Sequence, residues 1–265
     1  MTTASPAPAR ALPSATDLAR NIEEVRARIG AAALRAGRDP AEVTLVAVSK
    51  TVPLEYLGLL DGLAELTDLG ENRVQEAATK IEGLGLGRAV AWHLIGRLQS
   101  NKARVAVDLF DLIHSVDALD LAATVDRHAG AAGKRQRVLF QVNVSGEESK
   151  GGFAPGELRA VAPALAALPN LQPEGLMTIA PLGAGDEALR NVFRSLRRLR
   201  DELAPAFPGP EWRHLSMGMT DDYELAVGEG ATLARVGRAL FGQRPPDKAG
   251  LDGKNAAAKI ENRDI

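Results

Sequence analysis

The stretch that decides the fold is residues 44–50, which read Thr44-Leu45-Val46-Ala47-Val48-Ser49-Lys50. The six residues before Lys50 predict a buried strand, because they are mostly apolar or β-branched over a strand's usual length. A primary amine at the tip of such a strand lies at the mouth of a parallel sheet, where α/β proteins place their chemistry. Lysine also forms Schiff bases with carbonyl groups. The competing interpretation is a solvated lysine that merely ends a strand.

The same pattern recurs along the chain, as short apolar runs separated by longer amphipathic segments. Parallel strands need long crossovers, and helices supply them. Eight such units predict an α/β chain that folds as a single (β/α)8 TIM barrel. An open doubly wound sheet is the alternative, but no glycine-rich dinucleotide fingerprint follows the first strand. The predicted strands are residues 44–49, 66–70, 91–96, 109–115, 138–144, 175–179, 212–216 and 233–237.

The length of 265 residues suits one large domain, and no second domain is predicted after the eighth strand. Apolar residues at helical spacing from Asp17 onward predict an extra helix before the barrel. We expect residues 1–15 to be a flexible leader, residues 16–244 the barrel, and residues 245–265 a flexible tail with a short helix near residues 255–260.

Composition excludes several function classes. The absence of cysteine excludes disulfides, thiolate catalysis and cysteine metal sites. The four histidines are scattered without short metal spacing, so no metal site is predicted. A formal net charge of -2 argues against nucleic-acid binding. No apolar stretch approaches the roughly 20 residues that span a bilayer, and a cytoplasmic location is expected.

The residues after the later strands suit a phosphate group. Ser216 offers a hydroxyl before a glycine-containing turn, and Arg235 and Gly237 close the eighth strand. Loops after strands seven and eight of a barrel often form a phosphate site. Each signal alone also fits an ordinary turn or a rim salt bridge. Asn72, after the second strand, fits either a site residue or a helix cap, and His93 fits a structural residue better than a catalyst.

Seven segments in order closely resemble the pyridoxal phosphate homeostasis protein family, also called the YggS/PROSC family. The resemblance covers nearly everything from the first helix to about Arg244. It implies a fold similar to the N-terminal barrel domain of alanine racemase, without that enzyme's second domain. The segments are residues 46–51, 70–76, 92–102, 114–117, 175–179, 215–222 and 235–242.

By this resemblance, Lys50 carries pyridoxal 5'-phosphate (PLP) as a Schiff base. Ser216 and the backbone around Gly237 and Arg238 match phosphate-holding positions, and Met217 is expected to be a further cofactor-binding residue. Arg235 matches the arginine that faces the pyridine nitrogen, and Asn72 matches a residue beside the cofactor. The chain departs from the family at Leu69 and Leu94, where phenylalanine is common, and at Arg238, where threonine or serine is usual.

The resemblance implies a PLP-binding protein that stores, buffers or delivers the cofactor, without catalytic residues. An arginine against the pyridine nitrogen makes the ring a weaker electron sink. Tyr56 and Tyr223 lie in predicted helices, so neither matches the tyrosine that a racemase's partner domain supplies. The alternatives are a weak PLP-dependent amino-acid racemase and a barrel aldolase that uses Lys50 directly. PLP-dependent apo-enzymes are the candidate partners, and a monomer is expected.

Overall fold

The structure is a computed structural model that describes residues 12–58, 66–84, 90–147, 150–207 and 211–242. Eight parallel strands pair in sequence order, and β1 closes the barrel by pairing with β8. The predicted (β/α)8 barrel is therefore confirmed, and the open doubly wound sheet is wrong. The strands are β1 (Thr44–Val48), β2 (Asp68–Glu71), β3 (Ala91–Leu94), β4 (Leu112–Val116), β5 (Gln136–Gln141), β6 (Leu171–Met177), β7 (His214–Ser216) and β8 (Leu233–Val236).

Helices cover the outside of the barrel. The best marked is α7, whose apolar residues at three- and four-residue spacing are buried while its arginines face outward. The helices are α1 (Ala15–Arg35), α2 (Leu54–Gly58), α3 (Val74–Leu84), α4 (Ala103–Leu109), α5 (Leu119–Ala131), α6 (Pro155–Ala166), α7 (Asp186–Leu203), α8 (Tyr223–Gly228) and α9 (Arg238–Phe241).

The apolar core has two parts. The larger lies between the strands and the surrounding helices. The smaller lies inside the barrel and consists of Val46, Leu112, Leu139, Met177 and Leu233. Because the inner cluster is small, the rest of the barrel interior is left to polar side chains, and these prove to be hydrogen-bonded to one another.

The predicted extra helix is present as α1, which packs against α8 and α9. It begins at Ala15, because the Ser14 hydroxyl accepts a hydrogen bond from the Asp17 backbone N–H at 3.1 Å. The Asn21 side chain donates to the Leu240 carbonyl at 2.9 Å and ties this helix to the end of the barrel. The predictions for the leader and the tail fall mostly on residues 1–11 and 243–265, which lie outside the described residues.

Two strands begin more than two residues away from the predicted start. Strand β4 begins at Leu112, because the preceding residues end helix α4. Strand β6 begins at Leu171 and includes Pro173, beside an irregularity in the β5 register. The polar residues at its start gave no strand pattern in the sequence. Glu174 among them is nevertheless buried, because the Arg137 guanidinium donates to its carboxylate at 2.7 and 3.0 Å. No helix in the described ranges is long and apolar enough to cross a membrane.

Candidate functional site

Lys50 lies two residues after Val48, the last residue of β1, and is exposed. The loop of residues 49–51, here called the anchor loop, is tied to the neighbouring strand, since the Ser49 N–H donates to the Gly70 carbonyl at 3.0 Å. Thr51 has a φ of 61°, the one positive value at a non-glycine residue in the described part of the chain. A left-handed threonine is unfavourable by itself, so surrounding contacts must hold it.

Those contacts come from a buried ion cluster formed by Glu71, Glu76 and Lys80. The Lys80 amine donates to Glu71 Oε1 at 2.7 Å, to Glu76 Oε1 at 2.6 Å and to the Ser49 carbonyl at 2.7 Å. The Ser49 hydroxyl donates to Glu71 at 2.6 Å, and the Thr51 N–H donates to Glu76 at 2.5 Å. The cluster therefore grips the anchor loop on both sides of Lys50.

The sequence reasoning missed Lys80 and Glu76. Their spacing of four residues on α3 was a visible signal, since a glutamate four positions before a lysine is a favourable helix pair. The burial of the pair is not visible in the sequence. Burial also raises the pKa of Glu71, and the opposing effect of Lys80 is the smaller one.

Arg235 is on β8, the strand that pairs with β1, and is almost fully buried. Its guanidinium donates to the Thr178 carbonyl at 2.9 Å and to the Ser216 hydroxyl. Burial lowers its pKa to about 10, and the charge of Asp222 offsets this only in part. Among the residues that the structure describes, none forms an ion pair with Arg235. A buried cation held only by neutral oxygens suits a ligand with an acceptor atom.

A cavity of about 1030 Å³ opens at the strand ends. Four of the predicted site residues line it together, namely Lys50, Asn72, Arg235 and Gly237. Apolar walls come from Val48 and Ile95 among others. The structure thus brings an amine, a planar cation, an amide and a glycine turn to one space, as the strand order required.

The remaining two predicted residues, Ser216 and Met217, are fully buried and do not line this cavity. The Ser216 hydroxyl is engaged by Arg235 and lies 2.8 Å from His114 Nδ1. The Met217 N–H donates to the Leu233 carbonyl at 3.2 Å. Both residues support the cavity from behind, and their predicted cofactor contacts remain a prediction.

The backbone of Asn72 packs closely against Gly96. A Cβ on Gly96 would lie 2.3 Å from the Asn72 carbonyl oxygen, so only glycine allows the two loops to approach this closely. The Ile95 N–H donates to the Glu71 carbonyl at 2.9 Å beside this contact. The β2 and β3 ends are thereby locked to each other where they face the cavity.

The loop after β7 forms the opposite wall. Gly218 has a φ of 91°, and a Cβ there would lie 2.7 Å from the Ala226 side chain. The Arg235 N–H donates to the Gly218 carbonyl at 3.0 Å, and the Met219 N–H donates to Asp222 Oδ1 at 2.5 Å. Arg238 lies at the cavity rim, half exposed, and pairs with Asp221 on this same loop.

Comparison with known proteins agrees with this geometry. The family model described as alanine racemase, N-terminal domain, matches residues 15–245. The alanine racemase of Clostridium difficile 630 has the same fold at 16% identity, with a TM-score of 0.68 over 88% of this chain and 58% of that chain. The fold and the cavity at its strand ends therefore define this chain as a barrel of the alanine racemase N-terminal class.

Other relatives are much more similar. A protein of Pseudomonas aeruginosa named pyridoxal phosphate homeostasis protein is 46% identical over 227 residues, which is 86% of this chain and 96% of the relative. The structure of PipY from Synechococcus elongatus PCC7942 with PLP bound has a TM-score of 0.75 at 40% identity, over 85% of this chain and all of that one. The chain belongs to the pyridoxal phosphate homeostasis protein family, whose members found here are named as homeostasis proteins rather than enzymes.

Proposed function

We propose that this chain binds PLP covalently on Lys50 and holds it reversibly for storage, buffering or delivery. The observation that carries the proposal is that an exposed lysine and a buried arginine, from the ends of the adjacent strands β1 and β8, line the same cavity. PLP supplies an aldehyde that condenses with a lysine amine, releasing water. The named relatives and PLP-bound PipY support the same ligand.

The residues present fit such a ligand. Lys50 is exposed to the cavity and can meet an aldehyde. Arg235 can only donate hydrogen bonds, so it would hold an unprotonated ring nitrogen. Gly237 brings a backbone segment to the wall where we propose that the phosphate lies. Asn72 would lie beside the ring, with Val48 and Ile95 providing apolar contact.

We propose a carrier rather than an enzyme. A donor-only partner at the ring nitrogen gives poor support to carbanion chemistry. The chain has two tyrosines, and neither lines the cavity. The Tyr56 hydroxyl donates to the Pro13 carbonyl, and Tyr223 is buried. We further propose that PLP-dependent apo-enzymes receive the cofactor and that the protein acts as a monomer in the cytoplasm.

The decisive experiment is a PLP titration of the purified protein followed by visible absorption. We expect a new band that is absent from the Lys50→Ala variant. Lys150 also lines the cavity, so Lys150→Ala identifies the anchor: a band lost only from that variant would contradict Lys50. No band in the wild type would overturn PLP binding and leave the direct use of Lys50 by an aldolase.

Carrier and enzyme are then separated by two assays. Loaded protein is mixed with a PLP-dependent apo-enzyme, and recovery of that enzyme's activity is the expected result. Separately, L-alanine is incubated with the loaded protein and D-alanine is measured by chiral chromatography. Steady D-alanine production that depends on Lys50 would favour the weak racemase over the carrier.

A further inference from the structure

A continuous row of hydrogen-bonded side chains runs through the barrel interior behind Arg235. We call these residues, Asp68, His93, His114 and Ser216, the relay. Arg235 donates to the Ser216 hydroxyl, which lies 2.8 Å from His114 Nδ1. His114 Nε2 lies 2.9 Å from His93 Nδ1, and His93 Nε2 lies 2.9 Å from Asp68 Oδ1.

The relay links the cavity to the other end of the barrel. Asp68 is the first residue of β2, and neither it nor the two histidines line the cavity. His93 and His114 are almost completely buried, whereas 18% of the Asp68 side chain is exposed. Four side chains from four strands therefore connect the amino ends of the strands with the buried arginine of the site.

Only one direction of donation satisfies every member when both histidines are neutral. The Asp68 carboxylate accepts from His93 Nε2–H, which leaves His93 Nδ1 as an acceptor. His114 must then donate from Nε2, and its Nδ1 accepts from the Ser216 hydroxyl. The Ser216 oxygen is left to accept from Arg235. Each donor meets an acceptor, and both histidines carry their proton on Nε2.

The surrounding charges favour this neutral arrangement. Burial lowers the pKa of His114 well below its usual value, and the positive charge of Arg235 acts in the same direction. At the amino end, the hydrogen bonds from His93 and Thr67 outweigh burial and lower the pKa of Asp68, so it stays ionised. Two other titratable side chains lie nearby, and each has its own partner. Arg137 donates to Glu174, and His214 is hydrogen-bonded to Thr232, so neither Arg137 nor His214 takes part in the relay.

We propose that the relay is a positioning device: Asp68, at the far end of the barrel, sets the hydrogen-bond direction that fixes Ser216 and aims Arg235 into the cavity. A consequence is that the Ser216 hydroxyl hydrogen points to His114, away from the cavity. The effect on a bound cofactor rests on the proposed function, but the relay itself is a property of the unloaded protein.

The first test uses the unloaded protein and ¹⁵N NMR of its histidine side chains. We expect His114 in the wild type to be protonated on Nε2 alone. In Asp68→Asn the side-chain amide can either accept from His93 or donate to it, so the direction of donation is no longer fixed at this end and we expect His114 to show Nδ1 protonation beside the Nε2 form. A wild-type His114 protonated on Nδ1, or a tautomer unchanged in Asp68→Asn, would overturn the relay.

Thr67→Val is the matched control, because the Thr67 hydroxyl donates to the other Asp68 oxygen at 2.7 Å and its loss leaves the carboxylate in place. It should leave the His114 tautomer as in the wild type. His93→Asn is the second variant if Asp68→Asn does not fold. It cuts the link to Asp68 while offering His114 an amide that can turn either way, so a similar mixture of Nδ1 and Nε2 protonation is expected.

The second test measures PLP binding by the visible band. We expect Asp68→Asn to bind PLP about tenfold more weakly than Thr67→Val, because a charged hydrogen-bond partner has been lost from the far end of the row. Equal affinities in the two variants would contradict a role at the site. If no variant and no wild type shows the band, the proposed function fails, while the NMR result still decides the relay.

Discussion

The two strand ends that meet at the cavity, β1 with Lys50 and β8 with Arg235, are supported in opposite ways. The anchor loop rests on the buried ion cluster of Glu71, Glu76 and Lys80. Arg235 rests on neutral oxygens and, behind them, on neutral histidines. The amine itself is exposed, whereas the guanidinium is buried.

The difference separates a group that must react from a group that must stay still. An exposed amine can meet and release an aldehyde, provided that the backbone beneath it does not move. A buried guanidinium has lost its freedom on folding and keeps one orientation toward the cavity. Charged side chains hold the backbone beneath Lys50. Neutral hydrogen-bonding groups surround Arg235, where a second positive charge would repel its guanidinium.

The largest effect should come from breaking the ion cluster with Lys80→Met. The substitution leaves the buried Glu71 and the partly exposed Glu76 without their cation. Removing one partner of a buried ion pair costs about 3–5 kcal/mol of unfolding free energy. Urea unfolding measures this cost. Because Thr51 loses the cluster that holds its left-handed conformation, we also expect weaker PLP binding.

Lys50→Met is the matched control, because it removes the same charge from an exposed position that lines the cavity. It should abolish the visible band and leave the unfolding free energy almost unchanged. If Lys80→Met and Lys50→Met unfolded at the same urea concentration, the proposed clamping by charge would be wrong.

A smaller loss of unfolding free energy is expected when the pH is lowered, because a neutral, mostly buried histidine, His214, then takes up a proton. Burial lowers the pKa of His214 from 6.5 to about 4. Between these values the unfolded chain binds a proton that the folded chain does not, so stability is lost as the pH falls from 6.5 to 4. The loss attributable to His214 is at most about 3 kcal/mol.

Urea unfolding at several pH values in this window, for wild type and His214→Gln, isolates the effect. The raised pKa of Glu71 acts with the opposite sign, since an ionised buried carboxylate is a cost that protonation removes. The comparison of the two proteins cancels that contribution. A His214→Gln variant as acid-sensitive as the wild type would show that this histidine is not kept neutral by folding.

How far the sequence could predict the molecule depends on the same contrast. Strand ends are visible as apolar runs, so the barrel and the meeting of Lys50, Asn72, Arg235 and Gly237 followed from strand order. Side-chain partners inside the barrel are not visible, because they depend on register around a closed sheet. The contact of the Ser216 hydroxyl with His114 is therefore known only from the structure, whereas its phosphate contact remains a prediction.

The smallest effect is expected at Arg238, the one site position where the chain departs from the usual threonine or serine. Its guanidinium pairs with Asp221, and both side chains are more than half exposed. An exposed pair of this kind contributes about 0–1 kcal/mol, so Arg238→Thr should barely change urea unfolding. We expect it to bind PLP at least as well as the wild type, because the arginine is held by Asp221 and a hydroxyl is restored beside Gly237.

Titrations at low and high salt check this, since a direct arginine–phosphate contact would instead give a clear loss of affinity that is largest at low salt. Such a loss would mean that charge, and not only neutral donors, holds the ligand on the β8 side of the cavity.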